Sequence, residues 1–278
     1  MQSLPVAVLD MYDGAPNEGM RCIRQLLRKV EQETGVRLAD QTFDVRGGHP
    51  LPGLEFDLYI STGGPGSPLP TDAPWERQYF GLIDRIFDHN RTQRRKKYLF
   101  LICHSFQLVS RHLGLGILSK RRSTSFGVFP ILKNELGHHE PFFEGLPDPF
   151  YVVDSREYQL TQPNWKRLEH LGARVLCLEK ARPHVPLERA IMAIRFTNEV
   201  FGTQFHPEAD ADGMLRYFQN EEKKQQVIAG HGEEKYNEMV GHLRDPDTIE
   251  RTEAVILPGF LRQAIRRLVP VEPFIERG

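Results

Sequence analysis

Short, almost wholly apolar runs alternate along the chain with longer stretches whose apolar positions recur every three or four residues. That alternation predicts buried strands joined by amphipathic helices. In the first half, residues 5–9, 38–45, 58–61 and 98–102 read as strands, and 17–33 and 74–89 as the helices between them. Asn17 is suited to cap the first helix and Pro74 to open the second. The order β-α-β-β-α-β then runs directly into Cys103, with an apolar helical stretch at 105–113 behind it. The expected fold class is α/β, a mostly parallel sheet flanked by helices.

The second half is richer in strands. Residues 125–132, 150–153, 174–178, 190–196 and 201–205 read as extended, with turn signals between them. From about residue 213 to 267 the pattern turns strongly helical and charged, in words such as EEKKQQ, EEKYNEMV and PGFLRQAIRRLV, without internal repeat. The expected division is a domain over residues 1–212 and a helical extension over 213–278, packed on that domain or on a partner.

Composition narrows the class. With 40% hydrophobic and 26% charged residues, the 278-residue chain has room for one large domain plus an appendage. Basic and acidic residues balance, 36 against 37, for a net charge of −1, so no global field draws the protein to nucleic acid or a membrane. Cys22, Cys103 and Cys177 are an odd set without CxxC spacing, which argues against a disulfide framework or zinc cluster and for a reducing, cytoplasmic setting. The N-terminal MQSLPVAVLDMYDG lacks a basic leader and has too short an apolar run for a signal peptide or membrane span. No GxGxxG and no GxxxxGK[ST] occurs, and no cofactor is expected. RRKK at 94–97 reads as a solvated loop before a buried strand, and His138 and His139 as loop residues without a ligand cluster, so no metal is expected. RQAIRRL at 262–268 is a basic amphipathic stretch suited to packing on the core or to self-association.

Chemistry gathers around Cys103. It ends the apolar run YLFLIC and precedes HSFQLVSRHL, so a strand turns sharply into a helix at the thiol. A helix N-terminus favours the thiolate, which is the nucleophilic form. Cys22 lies inside an amphipathic helix and Cys177 inside an apolar strand, and both read as structural. In FGTQFHPE, residues 201–208, a strand ends at His206 and a carboxylate follows at Glu208. A thiol needs a base, and the base needs an acceptor that sets its tautomer; these three residues supply the roles.

Three segments, STGGPGSP at 61–68, ICHSFQ at 102–107 and FGTQFHPE at 201–208, resemble signatures of the class I glutamine amidotransferases, in that family's order. They fall within roughly residues 5 to 220, about three-quarters of the chain. The resemblance implies the flavodoxin-like fold of that family, with Cys103 as nucleophile, His206 as general base and acid, and Glu208 as the residue that orients His206. It also implies an oxyanion hole from the N–H groups of Gly64 and His104, and substrate contacts at Gln107 and Ser155. Leu101 and Ser105 stand where the family usually has glycine, and Arg156 follows Ser155 where relatives read histidine. The implied substrate is L-glutamine or another γ-glutamyl compound, and implied partners are a separate synthetase that accepts the ammonia or a second copy of the chain. Three readings stay open: glutamine amidotransferase or glutaminase, γ-glutamyl amide or peptide hydrolase, and a non-catalytic binding protein on the same scaffold.

Overall fold

The computed structural model describes residues 2–15, 17–181, 188–219, 221–245 and 248–270. Among them one sheet is built from β1 (Ser3–Asp10), β2 (Arg37–Asp44), β3 (Leu58–Ser61), β4 (Tyr98–Ile102), β5 (Ile117–Lys133), β6 (Phe150–Thr161), β7 (Arg174–Glu179), β8 (Ile191–Arg195) and β9 (Val200–Thr203). Across the sheet they run β2-β1-β3-β4-β9-β8-β7-β5-β6. The helices are α1 (Gly19–Thr34), α2 (Pro74–Thr92), α3 (His104–His112), α4 (Glu135–His138), α5 (Trp165–Leu171), α6 (Ala211–Gln219), α7 (Glu221–His231), α8 (Glu233–Arg244) and α9 (Ile249–Leu268). No helix among the described residues is long and apolar enough to cross a membrane.

The sheet is mixed, which corrects the expectation of a mostly parallel one. β1–β2, β1–β3, β3–β4 and β4–β9 pair parallel, whereas β5–β6, β5–β7, β7–β8 and β8–β9 pair antiparallel. The reason lies in the connections. Only residues 196–199 separate β8 from β9, and a parallel return needs a crossover of roughly a dozen residues or more. The expected strands at 125–132 and 150–153 are also longer in the structure. Residues 117–124, ILSKRRST, carry no alternating apolar pattern, yet Ile117–Lys120 pair with Lys120 opposite Tyr158 on β6.

The first-half elements follow from their patterns. α1 buries Met20, Ile23, Leu26, Leu27 and Val30 on one stripe, and the Asn17 side chain accepts the Met20 N–H at 2.9 Å, as a cap should. Gly35, with φ 68°, ends the helix in the left-handed conformation that glycine adopts without penalty. Pro74 opens α2. β4 is buried on both faces, as expected for a central parallel strand. Phe100 and Ile102 share a cluster with α1 and α9, and Leu99 and Leu101 share the opposite one with α2 and α3. The helices after β9 cover two places. α9 lies on the Phe100 face, while Phe218, Tyr236 and Met239 pack over Val128 of β5 and Val153 of β6.

Leu101, where the resemblance leads to an expectation of glycine, is buried in the core. It pairs with Gly202 on β9, and a Cβ there would meet Leu101 Cβ at 3.1 Å and Phe106 Cδ2 at 3.0 Å. The neighbouring strand therefore yields the space that leucine takes.

Phe260 of α9 sits edge-on to Phe100 at 5.2 Å and to Phe142 at 5.8 Å between ring centroids. Phe260→Ala should lower the unfolding free energy by about 3–5 kcal/mol, read from the denaturant midpoint of the full chain. A loss within the noise of a surface substitution would mean that α9 is not part of the core.

Candidate active site

Cys103 occupies the turn between β4 and α3 with φ 48° and ψ −98°. A non-glycine residue there is strained by roughly 1–3 kcal/mol, and the strain persists only where surroundings impose it. Here the Cys103 N–H donates to Thr203 O at 2.8 Å, and its carbonyl accepts the Gln107 N–H at 3.0 Å. Ser105, the second replacement of a family glycine, is fully buried, and its hydroxyl lies 2.8 Å from that of Ser61. Ser61 in turn meets the Tyr79 hydroxyl at 2.9 Å. These contacts tie the cysteine turn to the end of β3, so serine adds a tether rather than disrupting the turn.

The structure brings His206 and Glu208 to the same place. Past the end of β9, the His206 N–H donates to Val153 O of β6 at 2.9 Å. The His206 Nδ1 lies 2.8 Å from Glu208 Oε1, and the Glu208 side chain is 1% exposed. Burial alone would lower the imidazole pKa. The Glu208 carboxylate and the Cys103 sulfur outweigh it and hold the ring well above the ordinary histidine range. With Nδ1 donating to Glu208, Nε2 is the nitrogen left to exchange a proton with a thiol.

Gly63 and Gly64 follow β3. A Cβ on Gly63 would lie 2.7 Å from His206 Cε1 and 3.5 Å from Cys103 Cβ, so a side chain there would displace the histidine. A Cβ on Gly64 would meet Met11 O at 2.3 Å, a backbone atom that cannot swing aside. His104 opens α3, where the first N–H groups of a helix have no intrahelical acceptor. Its ring is buried beside Arg46; burial first and that charge second pull it down to about 3. The neutral ring accepts from Arg46 Nη2 at 2.7 Å through Nε2.

Ser155 is also at the site: its carbonyl lies 3.6 Å from Cys103 Sγ, in reach of the protonated thiol. Asp154 and Arg156 on either side turn the other way and are buried. Arg156 Nε donates to Asp154 Oδ2 at 2.8 Å, as does the Ser125 hydroxyl at 2.8 Å. Arg156 is thus an anchor for the strand that presents Ser155. Gln107 is buried, with Nε2 donating to Tyr158 O at 3.0 Å and to Gln204 Oε1 at 2.9 Å. It reaches the cysteine through Gln204, whose Nε2 lies 3.6 Å from Cys103 Sγ.

Gln204, Tyr12 and Arg46 are absent from the sequence expectation. Gln204 sits inside FGTQFHPE and was legible there as a polar residue at the end of a buried strand. A Cβ on Gly19 would meet the Tyr12 hydroxyl at 2.5 Å and Glu208 Oε1 at 3.4 Å, which puts the phenol beside the carboxylate. Burial first, then Glu208 and Cys103, raise the Tyr12 pKa well above its ordinary value, so it stays a neutral phenol. Nothing in the local words around Tyr12 or Arg46 signals the site. The other thiols are buried. Cys22 is pushed up to about 12, chiefly by burial, and burial raises Cys177 well above the usual thiol range. His138 lies 3.2 Å from Asp148, and His139 is on the wall of a separate cleft at the far end of the sheet.

The family described as Glutamine amidotransferase class-I matches the chain over residues 7–223. Among solved structures, a glutamine amidotransferase from Thermotoga maritima superposes with a TM-score of 0.65 at 18% identity, covering 96% of this chain and 99% of that one. A glutamine amido transferase from Methylobacillus flagellatus gives 0.60 at 16% identity, covering 96% and 95%. The glutaminase domain of CTPS from Trypanosoma brucei, with bound acivicin, gives 0.51 at 13% identity, covering 74% and 86%. At these identities the likeness is one of fold. Among curated proteins no sequence match reaches significance.

The charge on His206 should answer to Glu208. In Glu208→Gln the His206 titration, followed by NMR at its ring protons, should move down by roughly 1–2 units. The raised folded-state value makes the ring's stabilisation complete below the ordinary histidine range and lost as pH rises through the raised value. The stability gap between native protein and variant should therefore narrow in alkali. An unmoved titration would show that Glu208 does not hold the charge.

Proposed function

Because the chain belongs to the class I glutamine amidotransferase family, we propose that it releases ammonia from the side-chain amide of glutamine through a γ-glutamyl thioester on Cys103. The observation that carries this reading is the convergence of three separate chain segments on one turn. Cys103 is strained at the head of α3, Gly63 lies against both Cys103 and His206, and Glu208 is 2.8 Å from His206.

In the proposed reaction the Cys103 thiolate attacks the amide carbon while His206 holds the thiol proton. The C–N bond breaks as His206 gives that proton to the departing ammonia. Water then attacks the thioester carbonyl, loses its proton to His206 and leaves glutamate, and the proton returns the thiol to its starting state. The N–H groups of Gly64 and His104 would stabilise the oxyanion, a contribution of about 3–4 kcal/mol for one donor where it has been tested. Glu208 positions the ring and favours the imidazolium that forms midway. Ser155 and Gln107 serve as substrate-side groups, Ser155 through backbone and Gln107 through Gln204.

We read residues 1–212 as the unit that carries this chemistry and the helices after it as packing on that unit. The partner this reading implies is a synthetase that would use the ammonia. Three cysteines with no disulfide among them fit a cytoplasmic setting.

The test is ammonia release from L-glutamine by the purified protein and by Cys103→Ala. Cysteine-dependent release is expected, with activity in the variant reduced by at least about a thousandfold. Hydrolysis of γ-glutamyl amides in place of glutamine would make the protein a γ-glutamyl hydrolase. Neither activity, with Cys103 alkylated no faster than an ordinary thiol, would make it a binding protein.

A further inference from the structure

Two basic words that the proposed chemistry leaves unused meet in space. Arg94, Arg95 and Lys96 of RRKK, at the entrance to β4, and the last turn of α9, with Arg266 and Arg267, line one cleft of about 790 Å³. Arg174, the first residue of β7, joins them from a third direction. The cleft opens at Tyr98, where β4 begins, whereas Cys103 follows its end, roughly 16 Å of strand away. It is thus a different site from the one around the cysteine.

The charges there are not neutralised. Arg95 is held by Asp57 at 2.6 Å, and the buried Arg195 is paired with Glu140. Arg94, Lys96, Arg174, Arg266 and Arg267 have no carboxylate partner among the described residues, and Lys96 donates only to the Asn90 carbonyl. The one carboxylate in the wall, Glu199, accepts from the Thr197 hydroxyl at 3.0 Å. The negative end of the α9 dipole accounts for cations in its last turn. It does not account for Arg94, Lys96 and Arg174, which come from other elements, in a chain whose net charge is −1. Five like charges brought together from three elements, with the single carboxylate of Glu199 in the same wall, are stabilised by an anion that carries several charges itself.

We infer that this cleft binds a small polyanion with a phosphoanhydride chain, two or three linked phosphoryl groups. Guanidinium forks match phosphate oxygens in pairs, and four of the five uncompensated cations are arginine. The volume falls within the range of small-ligand pockets, about 300–1,000 Å³. A concave site of that size, rather than a basic stripe along the surface, favours a compact anion over a nucleic-acid strand.

Calorimetric titration of the full chain at physiological salt with inorganic tripolyphosphate, and separately with a nucleoside triphosphate, tests the assignment. Saturable one-to-one binding is expected for both. Equal affinities would assign recognition to the phosphate chain alone, and a tighter nucleoside triphosphate would add a nucleoside contact; either supports the site. Arg174→Glu and, independently, Lys96→Glu should each weaken binding roughly tenfold or more. Neither residue touches the cysteine site, so alkylation of Cys103 should be unchanged and reports that the fold is intact. Absence of saturable binding, affinity unaltered in both variants, or tighter binding of a single-stranded oligonucleotide than of either phosphate compound would overturn the proposal.

Discussion

Everything at the cysteine depends on β9 lying parallel to β4. Parallel neighbours end at the same edge of the sheet, so the residues after β3, β4 and β9 emerge together: Gly63, Cys103 and His206. Were β9 reversed, its C-terminal end and the histidine beyond it would lie at the other edge, a full strand length away. The hydrogen bond from the Cys103 N–H to Thr203 O is the local expression of this constraint. It holds the strained turn and fixes the height of β9 against it in one contact.

The antiparallel half of the sheet completes the site from the far side. β6 is four places beyond β9 in strand order, yet its Val153 bonds His206 and its Ser155 carbonyl reaches the thiol. A flat sheet could not bring these groups together, so the curl of the sheet is part of the site. Buried polar groups keep that strand in place. Arg156 pairs with Asp154 and, at 3.3 Å, with Glu179 on the face away from the cysteine, and removing Arg156 would leave the Asp154 carboxylate buried without a cation. Helices α6 and α8 close over the same strands through Phe218, Tyr236 and Met239. The helices from α6 onward therefore brace the site even though they add none of the groups around Cys103.

The two edges of the sheet have opposite electrostatic characters. Around Cys103, buried charge is matched at short range, as with Glu208 and His206. At the entrance to β4, Arg94, Lys96, Arg174, Arg266 and Arg267 crowd without a carboxylate partner among the described residues. The fold thus sets the Cys103 site and its exposed positive field at opposite ends of the same central strands.

Much of this was legible in the residues. YLFLIC before HSFQ predicts a strand entering a helix at a cysteine, because apolar periodicity and turn chemistry are local properties. FGTQFHPE places His206 and Glu208 two residues apart, close enough that their pairing needs little beyond the turn itself. The sheet's parallel first half was readable for the same reason, since long helical stretches separate its strands. The antiparallel half was not, because pairing partners such as Lys120 and Tyr158 are 38 residues apart and carry no apolar alternation. Nor could the sequence tell that Leu101 would be absorbed by Gly202, that Gln107 would bond Gln204, or that Arg94 and Lys96 would share a cleft with Arg266. Local pattern determined the elements and the candidate site residues. Only the tertiary structure decided which side chains share a space, because that depends on strand order and sheet curl, which couple positions the chain keeps far apart.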